Sequence, residues 1–401
     1  MEAKPAGNQH EVDHAGPRGA VYFVPFFCEN PYQRQLANEL RAVGVDVCHT
    51  AGPEKILRTS KSNGAVRRIL HIHWLPTFPG GIRNVFGFVI HLARIWLISR
   101  RGIRIVWTAH NLYGHESNSK RMDWLFSAAV ARICKRIIVH SPRAEAAVAN
   151  EFLAGNTRRI QIIPHGNYVD AYPNSMTQAD ARRLLHIPDN RLVITFVGNL
   201  RPYKGVDRLM RVLRSIDNSE VMLLVAGSSF DDTYTDQLSA LAKRDTRIVF
   251  HPRFLRDDEM QIYFNAADAI AFPYQRILTS GAVLLAMSFG RACLAPNLGS
   301  IPDYVNEECG VLFDTESDEG LHRGVEQIIK RRRELPQMGA CALRRCLRWR
   351  WREIATATLM AYDIPLTADE AAIVKSASQN WWHGDGSGQR SSARGDRSVR
   401  S

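Results

Sequence analysis

The chain has 401 residues, of which 45% are hydrophobic and 23% are charged. This length allows two domains of ordinary size, and the composition is that of a globular protein, which excludes the disordered and membrane-spanning classes. Lysine and arginine (52) outnumber aspartate and glutamate (40) by 12, which favours an anionic partner such as nucleic acid, a phosphorylated small molecule or a membrane surface.

The two ends of the chain and the cysteines indicate which segments are disordered and whether the protein is secreted. Residues 1–19 contain acidic residues and no apolar core, which predicts a disordered N-terminal segment and no secretory signal. Residues 366–401 end in a run rich in serine, glycine and arginine, which predicts a disordered basic tail. The seven cysteines are odd in number and scattered, so we expect no disulfide framework and a cytoplasmic location.

From residue 20 onward, short β-rich runs alternate with helical patterns, which predicts βαβ units around a parallel sheet. The predicted strands are Val21–Phe26, Val45–His49, Ile69–His73, Ile103–Thr108, Ile137–Val139 and Ile160–Ile163. The predicted helices between them are Pro31–Val43, Val85–Ser99, Arg121–Lys135 and Ala144–Phe152. Together they predict one doubly wound domain over residues 20–180.

One segment of this half, Asn84–Arg104, approaches membrane character. Its apolar run contains His91 and Arg94 and falls short of the roughly 20 residues that span a bilayer. Two interpretations stay open: a buried or half-buried helix, and a helix that lies in the membrane interface with arginines at its edge.

The alternation starts again after a polar, turn-rich passage in which only Ala179–Leu185 has a helical pattern. The later helical patterns are Val206–Ile216, Thr233–Ala242, Asp257–Ala267, Gly281–Phe289, Glu319–Arg333 and about Met338–Tyr362. We therefore predict a second Rossmann-like domain over residues 181–340 and a closing helix over residues 341–365 that packs back on the first domain. Two such domains imply a ligand cleft at the carboxyl ends of their strands.

The loop FVGNLRPYKGVDRLM has the residues of an anion site. Gly198 ends the strand, Arg201 and Lys204 lie three residues apart, and a helix starts just after them. Fixed cations and the free N–H groups of a helix start both attract an anion. The alternative is that both are ordinary surface cations.

A second loop, PYQRILTSGAVLLAMSFG, also opens a helix. Thr279 and Ser280 are favoured N-cap residues, Gly281 lets a ligand or backbone come close, and Tyr274 lies just upstream. Capping alone would explain them. Because both loops follow parallel strands of one domain, they are jointly expected to form a diphosphate cradle.

No P-loop motif and no glycine-rich dinucleotide fingerprint is present, so no hydride-transfer cofactor is expected. The first turn reads FFCENPYQRQL, in which Asn30 or Glu29 could cap the helix that Pro31 opens. His71 and His73 alternate on one strand without a suitably spaced third ligand, so no metal site is predicted.

Polar residues cluster in the loop WTAHNLYGHES, just past a strand end. His110, His115 or Glu116 there could act as a general base that accepts a proton from an incoming hydroxyl. Ordinary loop hydrogen bonding is the alternative. His165, in IIPHGNY, also lies at a strand end.

Taken together, these motifs resemble those of glycosyltransferases of the GT-B architecture, of the family 4 type and more closely of bacterial exopolysaccharide transferases. The resemblance runs from about Tyr22 to Tyr362 and rests on ENPYQRQL, HIHWLP, WTAHNLYGHE, IIPHGNY, FVGNLRPYKGVDRLM, LLVAGSS, ADAIAFPYQRILTSGAVLLAMSFG and RWREIATATLMAY. It implies that Arg201 and Lys204 grip the donor diphosphate and that His110 faces the transferred sugar or the acceptor.

The chain departs from the family pattern at two places. Family 4 retaining enzymes usually carry two glutamates where this chain has Ile277 and Leu285. Those glutamates normally hold the donor sugar and ribose hydroxyls, so their absence favours an inverting reaction in which Thr279–Gly281 bind the phosphates. Asp303 is then a candidate for the ribose contact.

The sequence thus predicts an α/β enzyme with two Rossmann-like domains that moves a hexose-type sugar from a UDP-sugar or GDP-sugar to a lipid-linked saccharide in exopolysaccharide synthesis. We expect no metal or other cofactor, no nucleic-acid partner, and peripheral contact with the cytoplasmic face of the inner membrane. Asn30, Gly198, His165 and Tyr274 complete the predicted substrate-binding set. The alternatives are a nucleotide-sugar epimerase or hydrolase of the same fold, and a non-catalytic nucleotide-sugar-binding protein.

Overall fold

Two parallel sheets form the framework of the computed structural model, which describes residues 16–49, 52, 56, 66–78, 82–114, 119–315 and 317–382. Each sheet has six strands within these residues. The predicted class, two doubly wound α/β domains, is confirmed.

The first sheet has the strand order β2-β1-β3-β4-β5-β6. Its strands are β1 (Gly19–Val24), β2 (Val45–His49), β3 (Arg67–Ile72), β4 (Arg104–Thr108), β5 (Arg136–Val139) and β6 (Ile160–Ile162). Its helices are α1 (Pro31–Ala42), α2 (Ile82–Arg100), α3 (Lys120–Ile133) and α4 (Pro142–Phe152). Side-chain caps begin several of them: the Asn30 side chain accepts from the Gln33 N–H, as predicted from the sequence.

The second sheet has the order β12-β11-β10-β7-β8-β9. Its strands are β7 (Leu192–Val197), β8 (Val221–Ala226), β9 (Ile248–His251), β10 (Ala269–Ala271), β11 (Ala292–Pro296) and β12 (Gly310–Phe313). Helix α5 (Gln178–Leu184) precedes it, and α6 (Val206–Ser215), α7 (Asp232–Ala242), α8 (Met260–Ala266), α9 (Gly281–Ser288), α10 (Ile301–Tyr304) and α11 (Asp318–Lys330) flank it.

The strand order reverses next to the first strand of each sheet. β1 lies between β2 and β3, and β7 lies between β8 and β10. Open parallel sheets bind ligands outside the carboxyl ends of their strands at such a reversal. The loops that follow β1, β3, β7 and β10 therefore mark the position of the site.

The C-terminal part differs from the prediction in two respects. In place of one helix over about 338–362 there are two, α12 (Leu335–Cys346) and α13 (Trp351–Tyr362). Helix α13 packs on α1, β4 and β5 of the first domain, as predicted for the closing helix. Helix α12 packs on α9, β11 and β12, so the second domain continues past the predicted boundary at residue 340.

The predicted disorder of residues 366–401 is wrong for its first part. Residues 368–380 form helix α14, which packs on α13. A capping box starts it, in which the Thr367 side chain and the Glu370 side chain each accept from the other's backbone N–H. Arg18 also forms an ion pair with Glu370 at 2.6 Å, so the predicted N-terminal disorder does not extend to this residue. Residues 1–15 and 383–401 lie outside the described part of the chain.

Candidate active site

Two adjoining cavities lie between the domains, at the carboxyl ends of both sheets. The larger cavity has a volume of about 710 Å³ and the smaller one about 280 Å³. Residues of both domains line each of them, and the two share Asn30, Trp74, His110, Asn111, Tyr203 and Lys204. The cleft predicted from the domain duplication is thus present, and its two parts meet at His110 and Lys204.

The smaller cavity brings together most of the predicted site residues. Asn30, His110, His165, Lys204, Tyr274, Thr279, Ser280 and Gly281 all line it. Arg201 lines the larger cavity, and Gly198 lines a third one beside it. His115 and Glu116, two of the three predicted catalytic residues, lie outside the described residues.

One wall of the smaller cavity is the start of α9. Ser280 has extended backbone, and its hydroxyl accepts from the Val283 N–H at 3.4 Å, so the predicted cap is present. The first N–H groups of a helix have no acceptor within the helix, which leaves the α9 start able to bind an anion. Capping and anion binding are therefore compatible here.

Gly281 is a position where a side chain would crowd this wall. A Cβ atom there would lie 3.1 Å from Tyr168 Oη and 3.2 Å from His165 Nε2. Both neighbours are buried. The glycine thus lets the first turn of α9 come close to the strand end of the first domain.

The loop after β7 forms the opposite wall. A single 3₁₀ turn over Pro202–Lys204 ends at Gly205, whose φ of +68° is left-handed. A Cβ atom on Gly205 would lie 2.2 Å from the carbonyl oxygen of Pro273, so only glycine allows this contact. The Gln275 N–H also donates to the Tyr203 carbonyl at 3.0 Å. The β7 and β10 loops therefore hold each other in place.

Lys204 carries its charge in a poorly solvated position. Its Nζ lies 6.0 Å from the centre of the Phe196 ring and close to Gly198. Burial, and secondly the charge of Arg201, lower the pKa of Lys204 to about 8. Among the described residues no carboxylate lies within ion-pair distance of Lys204. A bound anion would supply the missing countercharge.

Five histidines form a cluster at the strand ends of the first domain, and the Tyr32 ring contacts all of them but His71. They are His71, His73, His110, His140 and His165, and all are buried. The Tyr32 ring lies 4.8 Å from the ring of His165 and 4.9 Å from that of His110, measured between centroids. Burial lowers the pKa of every one of these histidines, to about 3 for His165 and about 4 for His140. All five are therefore neutral at neutral pH.

The hydrogen bonds of two of these histidines define their tautomers. Nδ1 of His140 donates to the Ile163 carbonyl at 2.9 Å, and Nδ1 of His165 donates to the Gly166 carbonyl at 2.8 Å. Nε2 of His110 and both ring nitrogens of His73 are buried without a hydrogen-bond partner among the described residues. His110 thus has the deprotonated state that a general base needs, although its pKa lies well below the ordinary value.

Sequence reasoning missed several residues that shape the larger cavity. Trp74 stacks on His110 with ring centroids 4.8 Å apart, and Phe27 lies against Trp74 at 5.5 Å. Asp123 of α3 is buried and accepts from the N–H groups of Phe78 (2.9 Å) and Gly114 (3.2 Å). Its place in the first turn of a capped helix was readable from the sequence, but its partners were not.

Two apolar residues stand where the sequence comparison with family 4 retaining enzymes leads us to expect glutamates. Ile277 lines the smaller cavity, and Leu285 is buried within α9. Asp303, the candidate ribose contact, is not among the lining residues of either cavity. Its carboxylate instead accepts from the Arg143 N–H at 3.0 Å and so joins α10 to the start of α4 in the other domain.

Within the described residues, no three histidine, cysteine or acidic side chains are grouped to hold a metal ion. Over the same part of the chain, no helix is both long enough and apolar enough to cross a membrane.

Comparison with known proteins gives one family match and several sequence relatives. Residues 177–344 match the family described as Glycosyl transferases group 1. A GDP-mannose:glycolipid 4-beta-D-mannosyltransferase of Xanthomonas campestris pv. campestris is 25% identical over 326 residues, which cover 78% of this chain and 84% of the relative. A D-inositol 3-phosphate glycosyltransferase of Corynebacterium aurimucosum is 26% identical over 332 residues, or 73% of this chain and 78% of the relative.

Solved structures resemble the chain over most of its length. Sucrose-phosphate synthase from Thermosynechococcus elongatus superposes with a TM-score of 0.67 at 16% identity and covers 86% of this chain and 98% of its own. Anabaena HepE, solved in complex with UDP, has a TM-score of 0.66 at 14% identity, with 86% and 99% covered. The resemblance to GT-B glycosyltransferases inferred from the sequence is confirmed. Residues 177–344 therefore match the glycosyl transferases group 1 family, and the chain has the GT-B fold of the glycosyltransferases that it resembles.

Proposed function

We propose that the protein transfers a hexose-type sugar from a UDP-sugar or GDP-sugar to a lipid-linked saccharide in the synthesis of an exopolysaccharide or another cell-surface polysaccharide. One observation carries this proposal. The half-buried Lys204 and the N-terminus of α9 face the same small cavity between the domains, with Arg201 on the adjoining wall. Two cations and a helix start are a site for a diphosphate.

The same groups supply the chemistry that the leaving group needs. Negative charge builds up on the nucleoside diphosphate as the sugar departs, and fixed cations and N–H groups stabilise it without reorganising. Lys204 should interact strongly with this negative charge, because burial has removed much of the hydration of its ammonium group. We propose that these groups act in place of a metal ion.

We further propose that the reaction inverts the anomeric configuration. Ile277 and Leu285 offer no carboxylate at the places where retaining relatives of family 4 carry glutamates. A single displacement then needs a base on the first domain to deprotonate the acceptor hydroxyl. His110 lines both cavities with a neutral imidazole, which supports it as this base. His115 and Glu116, a few residues later in the sequence, are the other candidates.

The acceptor is proposed from the first domain and from one relative. The larger cavity is lined by aromatic side chains, Phe27 and Trp74, beside polar ones such as Asn111, a combination that suits a saccharide. The Xanthomonas relative is named for transfer to a glycolipid. We therefore propose a lipid-linked saccharide, met at the cytoplasmic face of the inner membrane.

NMR of the purified protein with a panel of UDP-sugars and GDP-sugars and a membrane lipid extract tests the proposal. We expect donor loss that depends on the extract and a β-linked anomeric proton from an α-linked donor. The variant Lys204→Met should lose most of this activity. An α-linked product would overturn the inverting mechanism. Complete donor loss without extract would favour a hydrolase or epimerase, and donor binding without turnover would favour a non-catalytic protein.

A further inference from the structure

Helices α2 and α3 present a large apolar surface to solvent. On α2, Phe86 is 64% exposed, Val89 59%, Ile90 51%, Trp96 52% and Leu97 41%. On the neighbouring α3, Leu125 is 53% and Trp124 37% exposed. We call these seven side chains the α2–α3 apolar surface. Single exposed apolar residues are ordinary, but seven of them on two helices that pack together mark an interaction site.

The outward face of α2 is not needed to hold the helix on its domain. Phe88, Ile95 and Ile98 lie on the inward face and are buried against the first sheet and α3. The exposed Phe86, Val89, Ile90 and Leu97 follow the 3.6-residue period on the other side. A helix that is apolar on both sides needs a second apolar environment.

The charged side chains that α2 and α3 themselves expose are cationic. Helix α2 contains no aspartate or glutamate, and the one acidic residue of α3, Asp123, is buried. Arg94, Arg100 and Lys120 are exposed on the two helices, and the Arg100 guanidinium lies 5.8 Å from the Trp96 ring centre. Exposed tryptophan, aliphatic side chains and arginine are the combination that a bilayer interface with anionic headgroups accepts.

The helices that carry the α2–α3 apolar surface contact the segment that lines the larger cavity. The Phe78 ring packs on Phe88 of α2 with centroids 5.3 Å apart, and the Phe78 N–H donates to Asp123 of α3. Pro76 and Thr77, just before Phe78, line the larger cavity. A bilayer in contact with α2 and α3 is therefore close to the place proposed for the acceptor.

We propose that the α2–α3 apolar surface lies in the interface of an anionic bilayer, so that a lipid-linked acceptor reaches the larger cavity while its lipid stays in the membrane. The access of a lipid-linked acceptor to the cavity rests on the proposed function, whereas binding of the surface to a bilayer does not. The side chains enter the headgroup region and the start of the acyl chains, as those of interfacial helices do.

Vesicle flotation tests the proposal with the full chain. We expect binding to vesicles of phosphatidylethanolamine and phosphatidylglycerol, and weaker binding to phosphatidylcholine vesicles. The double variant Phe86→Ser/Trp96→Ser should bind at least about tenfold more weakly, because two aromatic side chains no longer leave water. Leu184→Ser, which changes a 58% exposed apolar residue of α5 outside this surface, is the matched control and should bind like the wild type.

A second readout needs no substitution. Lipids brominated along their acyl chains should quench part of the tryptophan fluorescence of the wild type, because Trp96 would lie within reach of them. Failure of the wild type to float or to be quenched overturns the proposal, as does equal binding by the double variant. Concentration-dependent dimers that the double variant abolishes would assign the surface to a second copy of the chain instead.

The outcome separates bilayer binding from the proposed function. Calorimetric titration with UDP and GDP should give the same affinity for wild type and double variant, since the nucleotide cavity is not altered. Vesicle binding without sugar transfer from any donor would retain the bilayer surface and reject the proposed function.

Discussion

The substitution Lys204→Met should weaken the site and strengthen the fold. Methionine keeps the length and the apolar stem of the side chain and removes the charge. Burial, together with Arg201, lowers the pKa of this lysine from its ordinary value of 10.5 to about 8. That difference corresponds to about 3 kcal/mol against the charged form in the folded protein.

The stability change follows from the sign of this shift. The unfolded chain holds the Lys204 proton up to a pH near 10.5, and the folded chain only up to about 8. The charge therefore destabilises the fold at neutral pH, and stability rises as the pH passes from about 8 to 10.5. Because Lys204 keeps partial exposure, we expect a gain of about 1–2 kcal/mol in the variant. The melting temperature of the second domain should rise by a few degrees.

Donor binding should change in the opposite direction. A hydrogen bond to a charged group contributes about 1.5–3 kcal/mol, so the nucleoside diphosphate should bind about 10-fold to 150-fold more weakly. Wild-type affinity should also fall as the pH rises above about 8, where Lys204 loses its proton, and the variant should lack this pH dependence.

Calorimetric titration with UDP and GDP and thermal unfolding by circular dichroism measure both effects. Lys243→Met removes an exposed lysine of the same domain and should leave both unchanged. Unaltered nucleotide affinity in Lys204→Met would remove this residue from the diphosphate site. A lower melting temperature would show that its charge is compensated in the folded protein and would refute the reasoning from burial.

Three further predictions concern the first domain and the α9 start. Gly281→Ala should weaken nucleotide binding about tenfold in titrations, because its methyl group would crowd Tyr168 and His165, whereas Gly87→Ala, whose methyl would meet nothing, should not. Trp74→Leu should raise the amount of lipid extract needed for half-maximal transfer about tenfold at unchanged donor KM, and Trp74→Phe should restore part of the loss; a change in donor KM alone would reject the acceptor contact. Since burial holds the pKa of His71 and His165 near 3 and that of His140 near 4, the unfolded chain takes up protons first as the pH falls below 6.5. Unfolding followed by circular dichroism should show a loss of about 3 kcal/mol in the first pH unit below 6.5, and stability that stays flat there would contradict the buried neutral cluster.

Most of the fold could be predicted because parallel strands with both faces covered have continuous apolar sequences. All six residues of β7, LVITFV, are buried. The failures have local causes. The sequence LRWR between α12 and α13 contains no glycine or proline to end a helix, so the break at Arg350 was not visible. The capping box TADE at Thr367 predicts a helix, but the composition of the following tail obscured it.

The candidate site could be predicted where single loops carry its chemistry, and not where distant strands meet. The β7 loop contains its two cations and its glycine within a few residues, and the β10 loop contains its cap and its glycine, so local sequence was sufficient. The histidine cluster draws residues from the ends of β3, β4, β5 and β6. Its burial, which decides that these histidines are neutral, depends on Tyr32 and on Trp351 from α13. No sequence window contains that information.

Under the proposed function, the two domains divide the charges of the reaction between them. The second domain provides Lys204, Arg201 and the α9 start, which favour the negative charge that leaves with the diphosphate. The first domain provides neutral imidazoles, which do not compete for that anion and can accept a proton from the acceptor hydroxyl. Since His110 and Lys204 line both cavities, the two charges would form on opposite sides of one gap. Transfer would then require the domains to be held together, and the Asp303–Arg143 contact between them would support catalysis without touching the substrates.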